Sequence, residues 1–320
     1  MRGGILLAST LALTLLALTH PAWAWSNDGY GYSSRPDYET RYPDAFSVYV
    51  QDIGTQASLP DALDVFYAHP VNPREVVVMW LGADAPSGML LKNHEKVVLI
   101  DPANKITGDA MQRLQQLDIL LITHEHFDHF SSSAVIAIQS KTGVIVVVNP
   151  SSFDALSGSL PPDKLVRMTS GDTQVLSGIG VTAIASIHPA DQPLTYILTF
   201  SDFSAFHGSD SGFNPALSGY KGKAKLAMVP TGGASPSASP EQALQMVKAL
   251  DPSDVIPMHG STDSNDRLGA LLAQQMPNVH YVVPQPISSV VVDEMSGIGF
   301  VTILASVTIF FLVARARRQE

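Results

Sequence analysis

The chain has 320 residues, 45% hydrophobic and 15% charged, ample for one large core and room for two halves. A formal charge of -10 argues against nucleic-acid partners, which call for a basic face. No cysteine is present, which removes disulfides, thiol nucleophiles, cysteine-ligated metals and lipid attachment through an N-terminal cysteine.

Arg2, the apolar run Ile5 to Leu18 and the small-x-small triplet Ala22-Trp23-Ala24 have the layout of a signal peptide, residues 1–24, with cleavage after Ala24. Residues 25–75 read as an N-terminal extension. It is irregular where Tyr30, Tyr32, Tyr38 and Tyr42 stand among turn formers, with a short helix over Pro60 to Ala68. Strands are expected at Val76 to Leu81, at Leu90-Leu91 and at Val97 to Ile100, the last ended by Asp101-Pro102. A helix over Thr107 to Leu117 precedes the apolar run Leu117 to Ile122, which reads as a buried strand that stops at a polar site. Ser131 to Gln139 reads as a helix, and Val144 to Val148 as a β-branched strand ended by Asn149-Pro150. This alternation of strands and helices predicts an α/β sandwich.

Short strands joined by glycine turns are expected over Lys164 to Thr182, and the run Val181 to Ile187 ends in His188. Tyr196 to Phe200 and Phe203 to Phe206 form a hairpin around Ser201-Asp202. Leu226 to Val229 leads into a Gly-rich turn, and Ser239-Pro240 opens a helix that runs to Leu250. The last strand of this region, from Asp254, ends in His259. Residues 283–296, with Pro284 and Pro286, read as a linker. Gly297 to Ala314 carries no charge, and eighteen helical residues span about 27 Å, enough for a transmembrane helix. Arg315, Arg317 and Arg318 in the tail 315–320 then orient the tail to the cytoplasm and the main domain outside, anchored in the cytoplasmic membrane.

The chemistry concentrates at one place. His124, His126, Asp128 and His129 fall within six residues directly after a buried strand. Neutral imidazole suits zinc and iron, and a His-x-His pair on extended chain turns both rings to one side. Asp128 and His129 can turn toward a second cation beside the first.

The motif His124-x-His126-x-Asp128-His129 resembles the signature of the metallo-β-lactamase fold superfamily. The resemblance covers roughly residues 76 to 262 and implies a four-layer αββα sandwich domain over 76–282. It implies that His124, His126 and His188 hold one metal and that Asp128, His129 and His259 hold a second. Many relatives carry Gly-Asp-Thr-Gly where this chain has Ser209-Asp210-Ser211-Gly212, so Asp210 is expected to bridge both metals. Serine at 209 resists the positive φ that glycine permits there. His207 is expected to be a neighbour and not a ligand. Pro230-x-Gly232-Gly233, Pro240-Glu241-x-Ala243 and Ile256-Pro257-Met258-His259 resemble the ascorbate-phosphate-lactonase-like and phospholipase-D-like branch. Asp101 is either a turn initiator before Pro102 or, as in the family, a carboxylate that supports the metal ligands.

The implied activity is a binuclear metal-dependent hydrolase acting on an ester, lactone or phosphodiester through a metal-bridging hydroxide, with Asp128 as its catalytic partner. Two divalent cations are implied, with zinc the best fit to the ligand set and iron or manganese also compatible. The expected partners are a small-molecule substrate and a membrane through the C-terminal helix, with no nucleic acid. The alternatives are a non-catalytic metal-binding or surface protein that retains the fold, and a nucleic-acid-processing relative.

Overall fold

The computed structural model describes residues 51–232 and 237–293. Among these the strands form two sheets. The first carries β1 (Gln51–Thr55), β2 (Glu75–Trp80), β3 (Met89–Lys92), β4 (Val97–Ile100), β5 (Ile119–Ile122), β6 (Ile145–Val148), β7 (Leu165–Arg167) and β15 (Ser288–Asp293), in the order β1-β15-β2-β3-β4-β5-β6-β7. The second carries β8 (Thr173–Leu176), β9 (Ile179–Ala185), β10 (Leu194–Thr199), β11 (Ser204–His207), β12 (Leu226–Gly232), β13 (Asp254–Gly260) and β14 (His280–Tyr281), in the order β14-β13-β12-β11-β10-β9-β8. Each sheet is mixed: β4 to β7 and β11 to β14 pair in parallel, while the other pairs are antiparallel.

Helices cover the outer faces. Helix α1 (Leu59–Ala68), α2 (Gly108–Arg113), α3 (Ser132–Thr142) and α4 (Pro150–Leu156) share one core with the first sheet, in which Leu63, Phe66, Val135 and Ile138 pack on Leu99, Leu120 and Ile122. Helix α5 (Pro240–Leu250) and α6 (Thr262–Gln275) cover the second sheet in the same way, through Leu244, Val247, Leu268 and Leu272. Strand β5 is buried at every position, as a parallel strand covered on both faces must be. The inner faces meet directly. Tyr196 Oη donates to the carbonyl of Ile122 across the sandwich at 3.1 Å, and burial raises its phenol well above the ordinary range. Lys92 Nζ on β3 donates to the carbonyls of Phe66, Tyr67 and His69, each at 2.8 Å, and so satisfies the end of α1 with a cation where the helix dipole favours one.

The four-layer αββα arrangement matches the expected sandwich, but the expected transmembrane helix is corrected. Among the described residues no helix is long and apolar enough to cross a membrane. The longest, α6, has 14 residues and carries Asp263, Asp266 and Arg267, while a span needs about 20 apolar ones. The membrane-anchored location built on that helix is withdrawn with it. The segments read as a signal peptide (1–24), as the transmembrane helix (297–314) and as its basic tail (315–320) lie outside the described residues, as does Gly233. Two boundaries also move. Residues within the expected extension form β1 and α1, and the expected linker 283–296 holds β15, which pairs with both β1 and β2. The prolines at 284 and 286 point to a linker, but the run Ser288 to Val292 after them is buried and ends in three β-branched valines.

Candidate metal centre

The site is assembled at the C-terminal ends of strands, where open α/β sheets place their ligand crevices. Asp101 follows β4, His124 to His129 follow β5, His188 follows β9 and its continuation, Asp210 follows β11, and His259 lies at the end of β13. All seven expected ligand residues come together in two groups: His124, His126 and His188, and Asp128, His129, Asp210 and His259. Within each group the nitrogen and oxygen atoms lie within 4.8 Å of one another.

Asp210 sits between the groups. Its Oδ1 is 3.0 Å from His129 Nε2, and its Oδ2 is 3.1 Å from His259 Nε2 and 4.0 Å from His188 Nε2. Ser87 Oγ donates to Oδ1 at 3.1 Å. In the other group His188 Nε2 faces His126 Nδ1 at 3.1 Å.

The outer bonds fix which nitrogen of each ring faces inward. Asp101 is fully buried and accepts from Thr123 N (2.8 Å), Thr123 Oγ1 (2.6 Å) and His129 Nδ1 (2.8 Å). Asp101 thus bonds directly to the ring of His129, itself a candidate ligand. Since Thr123 Oγ1 gives its proton to Asp101, its lone pairs accept from Ser209 Oγ (2.8 Å) and His124 Nδ1 (3.0 Å). Protons on the Nδ1 atoms of His124 and His129 leave the Nε2 atoms as acceptors aimed into the site.

Those inner atoms provide the test of fit. His124 Nε2, His129 Nε2 and His259 Nε2 are buried and have no hydrogen-bond partner. The short separations of His129 and His259 from Asp210 are thus contacts without donor–acceptor alignment, as expected when lone pairs converge on one point. A buried polar atom left unpaired costs about 1–3 kcal/mol, and three in one cluster mark a place shaped for a cation. The nitrogen and carboxylate donor set fits zinc, and the carboxylates admit iron or manganese.

The electrostatics separate the histidines. Burial, with the charge of His129, pushes His124 down to about 2, so its ring stays neutral and free to ligate. Burial also pushes on His129, but the charge and hydrogen bond of Asp101, joined by Asp210, outweigh it and raise the ring to about 10. Burial pushes His259 down as well, but the nearby carboxylates of Asp128 and Asp210 outweigh it and lift the ring to about 9. Asp210 is pushed up by burial, yet the close rings of His129 and His259 hold it far below the usual carboxylate range. Asp128 is held low, first by the His259 ring beside it. The carboxylates of the cluster are therefore ionised at neutral pH.

The model of the Beta-lactamase superfamily domain matches residues 96–260, half of the chain and the whole stretch that carries these ligands. The chain belongs to this superfamily. Its relatives agree. A UPF0173 protein of Pyrococcus abyssi (strain GE5 / Orsay) is 30% identical over 186 residues, covering 58% of this chain and 83% of that protein. A UPF0173 metal-dependent hydrolase of Polaromonas sp. (strain JS666 / ATCC BAA-500) is 28% identical over 214 residues, covering 57% and 76%. Among solved structures, Igni18, a metallo hydrolase from Ignicoccus hospitalis, superposes with a TM-score of 0.57 at 20% identity, covering 68% of this chain and 99% of that one. Like the Polaromonas relative by name, this β-lactamase superfamily member is a metal-dependent hydrolase.

In this superfamily domain several site residues carry no motif of their own. Ser87 reaches Asp210 from the loop between β2 and β3, and its carbonyl accepts from His207 Nε2 at 2.8 Å. His207 is thereby a buried neighbour of the cluster, as expected. Thr123 was readable only as the residue before the motif. Glu125, between two of the histidines, turns outward: its oxygens accept from Asp191 N (2.8 Å) and Asn149 Nδ2 (3.2 Å). The backbone around Ser209 adopts a φ of +51° in spite of its side chain.

Proposed function

We propose that the chain hydrolyses an ester, lactone or phosphodiester with water as nucleophile, using two divalent cations, zinc by preference. His124, His126 and His188 would hold one cation, Asp128, His129 and His259 the other, and Asp210 would bridge them. Bound there, such cations act as Lewis acids, lower the pKa of water from 15.7 toward about 7 and offset charge that develops on the substrate oxygen. The observation that carries this reading is the set of buried, unpartnered Nε2 atoms facing an ionised Asp210.

The chain's own groups divide the remaining work. Asp128 is half-buried at the edge of the cluster and its carboxylate is held ionised, which suits it to accept a hydrogen bond from water and orient the attack. Asp101 and Thr123 keep His129 and His124 in the rotation and tautomer that ligation needs. The nearby serines are committed elsewhere. Ser209 Oγ donates to Thr123, Ser87 Oγ to Asp210, and Ser211 Oγ to the Gly212 carbonyl at 2.7 Å while accepting from Ile187 N at 2.8 Å. The basic groups beside Ser87 and Ser209 are Asp210 and His124, both held too weakly basic to take a hydroxyl proton, which favours water over an acyl-serine route.

The test joins composition to rate. Elemental analysis of zinc-loaded protein should give close to two equivalents. The loaded protein is then screened against lactones, phosphodiesters and carboxylic esters, and the best substrate is used in single turnover. Asp210→Asn should lose at least about 10²-fold in rate with both cations weakened together, while Ser211→Ala loses far less. A metal content near zero, or a dead Ser211→Ala protein with its metals intact, overturns the reading.

A further inference from the structure

Among the described residues three large hydrophobic side chains are exposed: Phe127, Val175 and Ile187. Single exposed apolar residues are ordinary on a protein surface. What stands out is where two of these lie. Phe127, 88% exposed, is the residue between His126 and Asp128, and so lies between the two groups of candidate ligands. Ile187, 51% exposed, directly precedes His188. Since His126 Nδ1 and His188 Nε2 are 3.1 Å apart, both apolar side chains emerge within one residue of the same pair of rings. Val175 is remote from this, on the β8–β9 hairpin.

The backbone holds both residues in place. Phe127 rides on a turn in which the His126 carbonyl accepts from His129 N (3.0 Å) and Phe130 N (2.8 Å). Ile187 is locked on both sides: its N–H donates to Ser211 Oγ at 2.8 Å and its carbonyl accepts from Gly212 N at 2.9 Å, in an isolated antiparallel bridge. A ring and a branched aliphatic chain are thus presented to solvent by rigid segments that also carry the ligands.

We infer that Phe127 and Ile187 form an apolar wall at the mouth of the metal centre and select substrates that carry a hydrophobic acyl or alkyl chain on the bond to be hydrolysed. The inference rests on the hydrolase reading above and adds the substrate's chemical class to it. Polar head and apolar tail would be divided between the two parts of the site: the bond to be cleaved over the histidines and carboxylates, the chain along the ring of Phe127 and the side of Ile187. Covering apolar surface is the only gain such a wall can offer, so its signature is a dependence of affinity on chain length.

The experiment uses zinc-loaded full-length protein and two hydroxamates that share one metal-binding head, acetohydroxamate and octanohydroxamate, titrated by calorimetry. The wild type should bind the octanoyl compound at least about tenfold more tightly, a margin within reach of one buried aromatic face. In Phe127→Ala the ratio of the two affinities should fall toward one, in Ile187→Ala it should fall in part, and Phe127→Leu should keep most of it. Equal affinities in the wild type, or a ratio preserved in the double alanine variant, overturn the inference while leaving the hydrolase reading in place. Failure of either hydroxamate to bind overturns both. Sedimentation of the same variants separates one further occupant. If Phe127→Ala abolishes self-association and leaves the chain-length ratio intact, the wall belongs to a second copy of the chain, and the inference falls.

Discussion

Thr123 Oγ1 joins three polar groups of the centre, giving its proton to Asp101 and accepting from Ser209 Oγ and His124 Nδ1. Valine at this position keeps the shape but leaves a buried carboxylate short of a donor and two donors without an acceptor. Thr123→Val should therefore cost about 1–3 kcal/mol in stability and lower metal affinity by roughly 10–100-fold, read by thermal unfolding and by competition with a chromophoric chelator. Unchanged affinity would mean that the hydroxyl does not orient His124. Ser209 poses a balance of two terms. Its left-handed φ of +51° costs a non-glycine residue about 1–2 kcal/mol, while its buried hydrogen bond returns about 0.5–1.5 kcal/mol. Ser209→Gly should consequently leave the unfolding midpoint nearly unmoved and still weaken metal binding through His124. The sequence raised the question by placing serine where relatives have glycine, but the Oγ–Thr123 bond that offsets the strain could not be read there. Asp101 and His259 also take positive φ, at +45° and +48°, so three residues of the site hold a backbone conformation that is retained only if the surroundings enforce it.

At the level of elements, the centre depends on loops that the strand ends release and other loops hold. Glu125 and Asn149 fasten the turn after His188: Asn149 Nδ2 donates to the Asp191 carbonyl at 2.8 Å as well as to Glu125, and its Oδ1 caps α4 through Ser152 N. Glu125→Ala removes the acceptor for Asp191 N and should loosen that turn. Expected results are faster amide exchange at Asp191 and a drop of about tenfold in affinity at the His188 group, with the fold retained. No change at Asp191 would assign Glu125 to solvent. A second element-level device lies away from the site. His280 on β14 bonds Asp254 on β13 at 3.2 Å, and that bond raises the histidine above its ordinary value. Its stabilisation is full below the unfolded pKa near 6.5 and is lost as pH rises through the higher folded value. His280→Gln should thus lower the unfolding temperature more at pH 5.5 than at pH 9; the reverse order would reject the pairing. The strands ending in ligands were legible because apolar runs stop abruptly at histidine. Helix α6 and strand β15 were not. The helix hides its buried Leu268, Leu271 and Leu272 in a polar stretch, and the strand follows two prolines. Ser87 was invisible for another reason: only the folding back of the β2–β3 loop brings it to Asp210.

Across the whole molecule, the candidate ligands run from residue 124 to residue 259 and belong to both sheets, β5 in one and β9, β11 and β13 in the other. Cations bound there tie the two halves of the sandwich together and are released when the halves part, so metal occupancy and global stability must be coupled. A ligand present at one hundred times its dissociation constant adds about 2.7 kcal/mol, so two such sites add roughly 5 kcal/mol. For a folded unit of this size, with each kcal/mol worth about 2–4 °C, zinc should raise the unfolding temperature by roughly 10–20 °C over chelator-treated protein. The metal-free protein should still fold. In the absence of a cation the inward Nε2 atoms of His129 and His259, raised to about 10 and 9, take up protons instead and so offset the charges of Asp210 and Asp128 beside them. The expected record is therefore two cooperative transitions, one for each state, with the lower one restored to the upper by adding zinc. Asp210→Asn should remove most of the separation, since it withdraws the carboxylate that faces both groups. Thermal scans in chelator, in zinc and in zinc after chelator decide the matter, and coincident midpoints in all three would mean that the converging nitrogens do not bind a cation tightly enough to join the sheets.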